Sequence, residues 1–247
     1  MGKGQPIALM KSKYKKVDDT ILYFDNEMKA RNQADEIDIT KSNNSFKVIP
    51  TEGSRDVVYL VGRSGSGKSY QIKQYVIEYH KIYPKNDIFL ISPKNDDETF
   101  DDVKKWIIKL RLDEQFIETE ISLDDCKNSL FIFDDIEAIM NKHIRKKVFD
   151  LLNLFMTAGR SYNISVCVVS HNPTNHSETK LMLLENTHCV FFPNYLSDHN
   201  LNYLSKQYLG LNKDHINKIL KSNSRWVCVL NNPRVVITDK KVWAIKR

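Results

Sequence analysis

Residues 62–69 read GRSGSGKS and match the pattern G-x-x-x-x-G-K-[ST] at every specified position. Just before this stretch stand five apolar, mostly β-branched residues, VVYLV at 57–61. After it, Ile72, Tyr75, Val76 and Tyr79 recur at helical spacing. A strand, a glycine loop and a helix in that order form a cradle for phosphate. Glycines let successive backbone N–H groups curl inward, and the helix start adds the positive end of its dipole. Lys68 would reach the β- and γ-phosphates of ATP, and Ser69 would hold Mg²⁺. The expected nucleotide-binding residues are Gly62, Arg63, Ser64, Gly65, Ser66, Gly67, Lys68, Ser69 and Tyr70. A plain Gly/Ser turn between a strand and a helix has no need of a Lys-Ser pair at the helix start, and that pair favours the nucleotide.

Downstream, LFIFDD at 130–135, with Glu137 two residues on, is the second informative run. Continuous apolar residues suit a central parallel strand covered on both faces. Carboxylates at its C-terminal end emerge where open α/β sheets place their ligands, about 65 residues after the phosphate loop. Asp134 is therefore the expected Mg²⁺-side acid, and Asp135 the residue that orients and polarises the attacking water. Both residues also suit a simple cap on the helix that follows. That helix spans about 143–158, with Ile144, Val148, Leu151, Leu152, Phe155 and Met156 as its core stripe and Arg145, Lys146 and Lys147 on its polar side. A strand at 164–169 follows and ends in Ser170-His171. There His171, one strand over from the acids, is a candidate γ-phosphate sensor or an ordinary turn residue.

Around this frame the sequence predicts a strand at 88–91, a helix near 103–110 with Trp106, Ile107 and Leu110 on its apolar side, and a strand at 189–192. Beyond about 196 come two helical patterns, 201–209 and 214–220, and a terminal hairpin at 226–238 with a further strand at 242–245. Before the frame, residues 46–49 suggest a strand. Residues 1–45 carry lysines at 11, 13, 15 and 16 and a weak helical pattern at 21–30, and are expected to form a basic arm. The domain reading is thus an N-terminal extension over 1–45 and one α/β domain over 46–247.

With 247 residues, 41% hydrophobic and 28% charged, the chain can bury an ordinary core. No apolar run approaches the ~20 residues of a membrane span. The start, MGKGQP, has no signal-peptide core and puts Pro6 where a myristoylation site takes Ser or Thr. Cys126, Cys167, Cys189 and Cys228 are far apart and mostly sit in strand-like runs, so buried thiols in a reducing, intracellular location are expected. A net charge of +6 permits a polyanionic partner without requiring one.

Taken together, GRSGSGKS, LFIFDD and the run GRSYNISVCVVSHNPTNHSETKLMLLENTHCVFFP resemble the FtsK–HerA superfamily of DNA-pumping ATPases, specifically its viral branch, the poxvirus-type genome-packaging ATPases of large DNA viruses and virophages. The likeness covers about residues 46–195. It implies a RecA-like, mainly parallel sheet flanked by helices, and a homo-oligomeric ring, pentamer or hexamer. It also implies ATP-driven threading of double-stranded DNA into a preformed capsid or its portal vertex, in a virus-infected cell. By position, Lys68 and Ser69 are the phosphate-loop pair and Asp134 the metal-side acid. Asp135 stands where many relatives have Glu; being one methylene shorter, it either sits closer to the water or is helped by Glu137. His171 stands where cellular relatives often have Gln. Arg160, at the end of the helix after the acid strand, is the first candidate for an arginine finger supplied to a neighbouring subunit, with Arg145 behind it; it also suits a helix C-cap.

The reading is an ATPase of the type in which strand-end acids activate water, acting as a viral DNA-packaging motor. A small-molecule or nucleoside kinase would add an arginine-rich lid, which is not evident. A GTP-type switch would add an N-K-x-D run, a spacing that neither Asn212-Lys213-Asp214 nor Asn95-Asp96 provides.

Overall fold

The computed structural model describes residues 4–14, 18–25, 35–94, 98–173 and 176–245. In chain order it runs β1 (Gln5–Lys11), β2 (Thr20–Phe24), β3 (Glu36–Asp38), β4 (Ser45–Val48), β5 (Val57–Val61), α1 (Lys68–Ile82), β6 (Asp87–Ile91), a 3₁₀ segment (Glu98–Trp106), β7 (Ile107–Lys109), α2 (Glu114–Glu118) and β8 (Ser129–Asp134). A short 3₁₀ turn (Ile136–Ala138) then leads into α3 (Lys142–Ala158), β9 (Ile164–Ser170), α4 (His176–Glu185), β10 (His188–Phe191) and α5 (Asp198–Asn202). A π-helical turn (Tyr203–Tyr208), α6 (Lys213–Lys221), β11 (Val227–Asn231), β12 (Arg234–Thr238) and β13 (Lys241–Ala244) complete it.

The main sheet has the order β3-β13-β12-β11-β10-β5-β9-β8-β6-β7. From β10 to β7 every pairing is parallel; from β10 outward through β11, β12, β13 and β3 every pairing is antiparallel. This is the mainly parallel, RecA-like arrangement that the resemblance implied. Strand β9 lies between the strand that feeds the phosphate loop and the strand that ends in the acids.

Its central strands are buried at every position, and mostly apolar, because each face has its own core. Val57, Tyr59 and Val61 of β5 pack with Phe131, Phe133, Val148, Leu152 and Phe155 on the α3 side. Val58 and Leu60 pack with Ile72, Tyr75, Val76 and Tyr79 of α1 on the other. Each such buried side chain contributes roughly 1.5–3 kcal/mol, an upper estimate because denatured chains are already partly collapsed. Helix α3 starts where the Asn141 side chain accepts hydrogen bonds from the N–H groups of His143 and Ile144 at 2.9 and 3.2 Å. At its other end Arg55 donates to the carbonyls of Phe155 and Met156 at 2.6 and 2.9 Å. The C-cap role considered for Arg160 therefore falls to Arg55.

Two local expectations differ from the fold. Residues 103–110 are not one helix: 103–106 end a 3₁₀ helix that begins at Glu98, and Ile107–Lys109 pairs in parallel with β6 as the edge strand. Two adjacent isoleucines next to an open sheet edge gain more from pairing there than from helix, and Trp106 instead stacks on His80 of α1 at 4.3 Å. Similarly, residues 21–24 of the weak helical pattern fall in β2, which pairs with β1, while β1 pairs on its other side with β4. Residues 26–30 of that pattern, and Lys15 and Lys16 of the basic start, lie outside the described residues, as do Asn95, Asp96 and Thr174. The N-terminal stretch supplies the small sheet β2-β1-β4, and its β3 extends the main sheet beyond β13. No helix among the described residues is long and apolar enough to cross a membrane.

Candidate active site

Parallel pairing brings four neighbouring strand tips to one edge of the sheet. Val61 of β5 opens the phosphate loop, and its partner in register is Ser170, the last residue of β9. Asp134 closes β8 opposite Val169, and Ile91 closes β6 opposite Phe133. The sequence after each tip then supplies the site: Gly62 to Gly67, His171, Asp134-Asp135 and Ser92-Pro93-Lys94.

The loop curls back on itself between β5 and α1. Gly62 tolerates no side chain, since a Cβ there would meet Ser66 Oγ at 2.8 Å and the Phe192 ring at 2.9 Å. Gly67 sits at φ 110 and acts as the N-cap of α1 with no side chain bonded to the helix start. The first turn of α1 has no acidic residue either, so its N–H groups and dipole stay open to an anion. Arg63, Ser64 and Gly65 are exposed, Ser69 half-buried, and Tyr70 projects to solvent near Lys73.

Lys68 is buried, and its Nζ donates to the carbonyls of Gly62 and Arg63 at 2.6 and 3.1 Å. Burial lowers its pKa, and the nearby charges of Asp135 and Asp134 offset part of that. His171 stands between Lys68 and the acids. Its Nδ1 lies 3.4 Å from Lys68 Nζ, and its Nε2 2.7 Å from Asp135 Oδ1, at ion-pair distance but off the line a hydrogen bond needs. An ammonium can only donate, so a neutral His171 carries its proton on Nε2, facing Asp135.

Both strand-tip acids are buried. Asp134 Oδ2 accepts from Ser92 Oγ at 3.4 Å and lies at the same distance from Lys94 Nζ, whereas Asp135 Oδ2 pairs with Lys94 at 2.6 Å. Burial acts to lower the Lys94 pKa, yet its bonds to the two aspartates outweigh this and raise it. Asp135 has left-handed backbone at φ 51, a conformation Asp tolerates better than most residues. Glu137 is turned aside: its carboxylate accepts from the Ser170 hydroxyl, and burial raises its pKa despite that bond and the proximity of His171.

The arginines and lysines of the sequence reading are dispersed. Arg145 donates to the Glu137 carbonyl at 2.6 Å and Lys147 to the Ile117 carbonyl at 2.6 Å, while Lys146 is exposed. Arg160 lies just before β9 begins, at the opposite edge of the sheet from the chain's own phosphate loop. There it borders a polar cleft of about 840 Å³ with Arg55, Asp56, Glu185 and His188.

The donor set fits Mg²⁺ and a triphosphate. Ser66 Oγ is buried within the loop without a hydrogen-bond partner among the described residues. No group of three or more His, Cys, Asp or Glu side chains there could cage a metal by itself. Ser69 and Asp134 offer the one or two protein oxygens that Mg²⁺ takes, the rest coming from phosphate and water.

No family model matches the chain. Protein V3 of Sputnik virophage is 34% identical to it over 186 residues, 74% of each chain. The chain belongs to the V3 family. In fold, this V3-family protein is similar to the genome packaging NTPase B204 from Sulfolobus turreted icosahedral virus 2 in complex with sulfate (TM-score 0.51, 16% identity, 76% of this chain and 97% of that one). It is also similar to the pCW3 conjugation coupling protein TcpA with ATPγS (TM-score 0.52, 12% identity, 95% of this chain and 77% of that one). The likeness is thus to a virophage protein in sequence and, in fold alone, to a viral genome packaging NTPase.

Two site residues of the V3-family chain escape sequence reasoning. Lys94 had a signal of sorts, since it follows a buried strand in a sheet whose strand ends gather ligands. Arg225 had none. It comes from the loop before β11 and donates to the phosphate-loop carbonyls of Ser66 and Gly65 at 3.0 and 3.3 Å.

Proposed function

We propose that this chain is the ATP-hydrolysing motor subunit that drives double-stranded viral DNA into a preformed capsid. The observation that carries the reading is the continuous contact from the phosphate loop through Lys68 and His171 to Asp135, across three adjacent strand tips. Lys68 would leave the carbonyls of Gly62 and Arg63 for the β- and γ-phosphates, and Ser69 and Asp134 would hold Mg²⁺. The metal would supply charge neutralisation across the phosphate oxygens. Asp135 would hold and polarise the attacking water, with His171 between it and the terminal phosphate. In this reading Lys94 neutralises the two acids until nucleotide and metal enter.

The fold likeness to a viral genome packaging NTPase and the virophage relative support a packaging role in an infected cell. Arg160, at the far edge of the sheet, is suited to serve only a neighbour's nucleotide, as a finger in a homo-oligomeric ring that docks on the capsid vertex. The test is ATP hydrolysis with and without double-stranded DNA. Turnover should rise with DNA of any sequence, and the stimulation should fall steeply as salt is added, because backbone contacts release counterions. Turnover indifferent to DNA, or dependent on a small phosphate acceptor, defeats the motor reading.

A further inference from the structure

The wall outside the phosphate loop is built from the C-terminal part of the chain, 159 residues away along the sequence at its closest contact. Arg225 reaches it from the loop between α6 and β11. Its Nε bonds to the Ser66 carbonyl at 3.0 Å, and the other prong of its fork to the Gly65 carbonyl at 3.3 Å. The guanidinium also lies 6.0 Å from the Tyr195 ring centre, within cation–π range. Its neighbour Ser224 anchors the loop, with Oγ 2.5 Å from Asp239 Oδ1, while the Asp239 carbonyl accepts from the Phe46 N–H at 2.8 Å. Arg225 is thus fixed to the antiparallel extension of the sheet and to β4, not to the strands that carry the acids.

This placement has a consequence for phosphate. The loop works by turning its N–H groups to the anion. The Ser66–Gly67 peptide, whose carbonyl Arg225 pins outside, has its Gly67 N–H directed inside. The Gly65–Ser66 peptide instead closes a turn, with its Ser66 N–H on the Arg63 carbonyl at 3.2 Å. We propose that Arg225 is a positioning residue for nucleotide binding, its two-pronged bond to Gly65 and Ser66 holding the phosphate loop in the anion-receiving shape. The inference rests on the loop binding a nucleoside triphosphate. It makes the C-terminal extension a part of the nucleotide site.

Equilibrium titration with a fluorescent ATP analogue and Mg²⁺ tests it. Arg225→Ala should weaken binding about tenfold. The nucleotide-free melting temperature should stay unchanged, and millimolar guanidinium should restore part of the affinity. Arg225→Lys, which keeps the charge and loses the fork, should fall between. Affinity within about twofold of wild type, or a loss that tracks a lowered melting temperature and ignores guanidinium, overturns the assignment. Should Arg225→Ala not fold, weakened binding by Arg225→Lys supports the role and wild-type binding defeats it. Lys68→Ala runs alongside. If it too binds normally, the loop itself has been misread; if it alone loses binding, only the Arg225 role falls.

Discussion

At the scale of single residues, the site is a set of charges that hold one another in place. Asp135 has Lys94 on one oxygen and His171 near the other, so its carboxylate is aimed by contacts on both sides. Asp135→Asn keeps the shape and removes the charge that, in the proposed reading, would polarise water. Nucleotide binding should persist while turnover falls about a hundredfold or more, read by single-turnover hydrolysis beside a binding titration. Weakened binding instead would recast Asp135 as structural. A different residue-scale expectation concerns the thiols. All four cysteines are buried and unbridged, and burial, with Asp125 beside it, pushes the Cys126 thiol up to about 11; burial raises Cys167, Cys189 and Cys228 further still. At pH 8 all four should therefore be protonated and shielded. A thiol-reactive chromophore should label none of them in the native protein and all four after denaturation.

Elements position the site through their ends. Strands β5, β9, β8 and β6 run parallel, and that alone delivers the loop, His171, the acid pair and Lys94 to a common edge. Helix α3 braces the opposite core and is capped at both ends by side chains, Asn141 at its start and Arg55 at its finish. Asn141→Ala should cost about 1 kcal/mol in denaturant unfolding, because two first-turn N–H groups lose their acceptor. Since the cap is remote from the phosphate loop, nucleotide affinity should be unaltered, and a changed affinity would show that α3 transmits to the site.

At the scale of the whole molecule, the proposed ring would have two copies share a nucleotide. Arg160 and the loop stand at opposite edges of one sheet, an arrangement that a ring can close by setting one subunit's Arg160 edge on the next subunit's loop. Arg160→Ala alone should lose most turnover. Mixed with Lys68→Ala subunits, it should recover part of it, since some interfaces then pair an intact finger with an intact loop. No recovery across mixing ratios would count against action between subunits.

The phosphate loop, the acid strand and the strand-helix alternation were readable because each is local. Short-range spacing sets which backbone groups can face a phosphate, and unbroken apolar runs occur where both faces of a strand are covered. GRSGSGKS and LFIFDD carried that information unaided. Residues 107–109 and 21–24 went the other way, their helical patterns giving way to sheet edges that only the folded chain provides. Lys94 reaches Asp135 through the register of β6 on β8, and Arg225 reaches Ser66 through a loop fixed by the terminal hairpin. The sequence by itself determined what the nucleotide site is made of. Tertiary structure decided which distant cations brace it, because contacts between residues far apart in the chain leave no periodic trace in either segment.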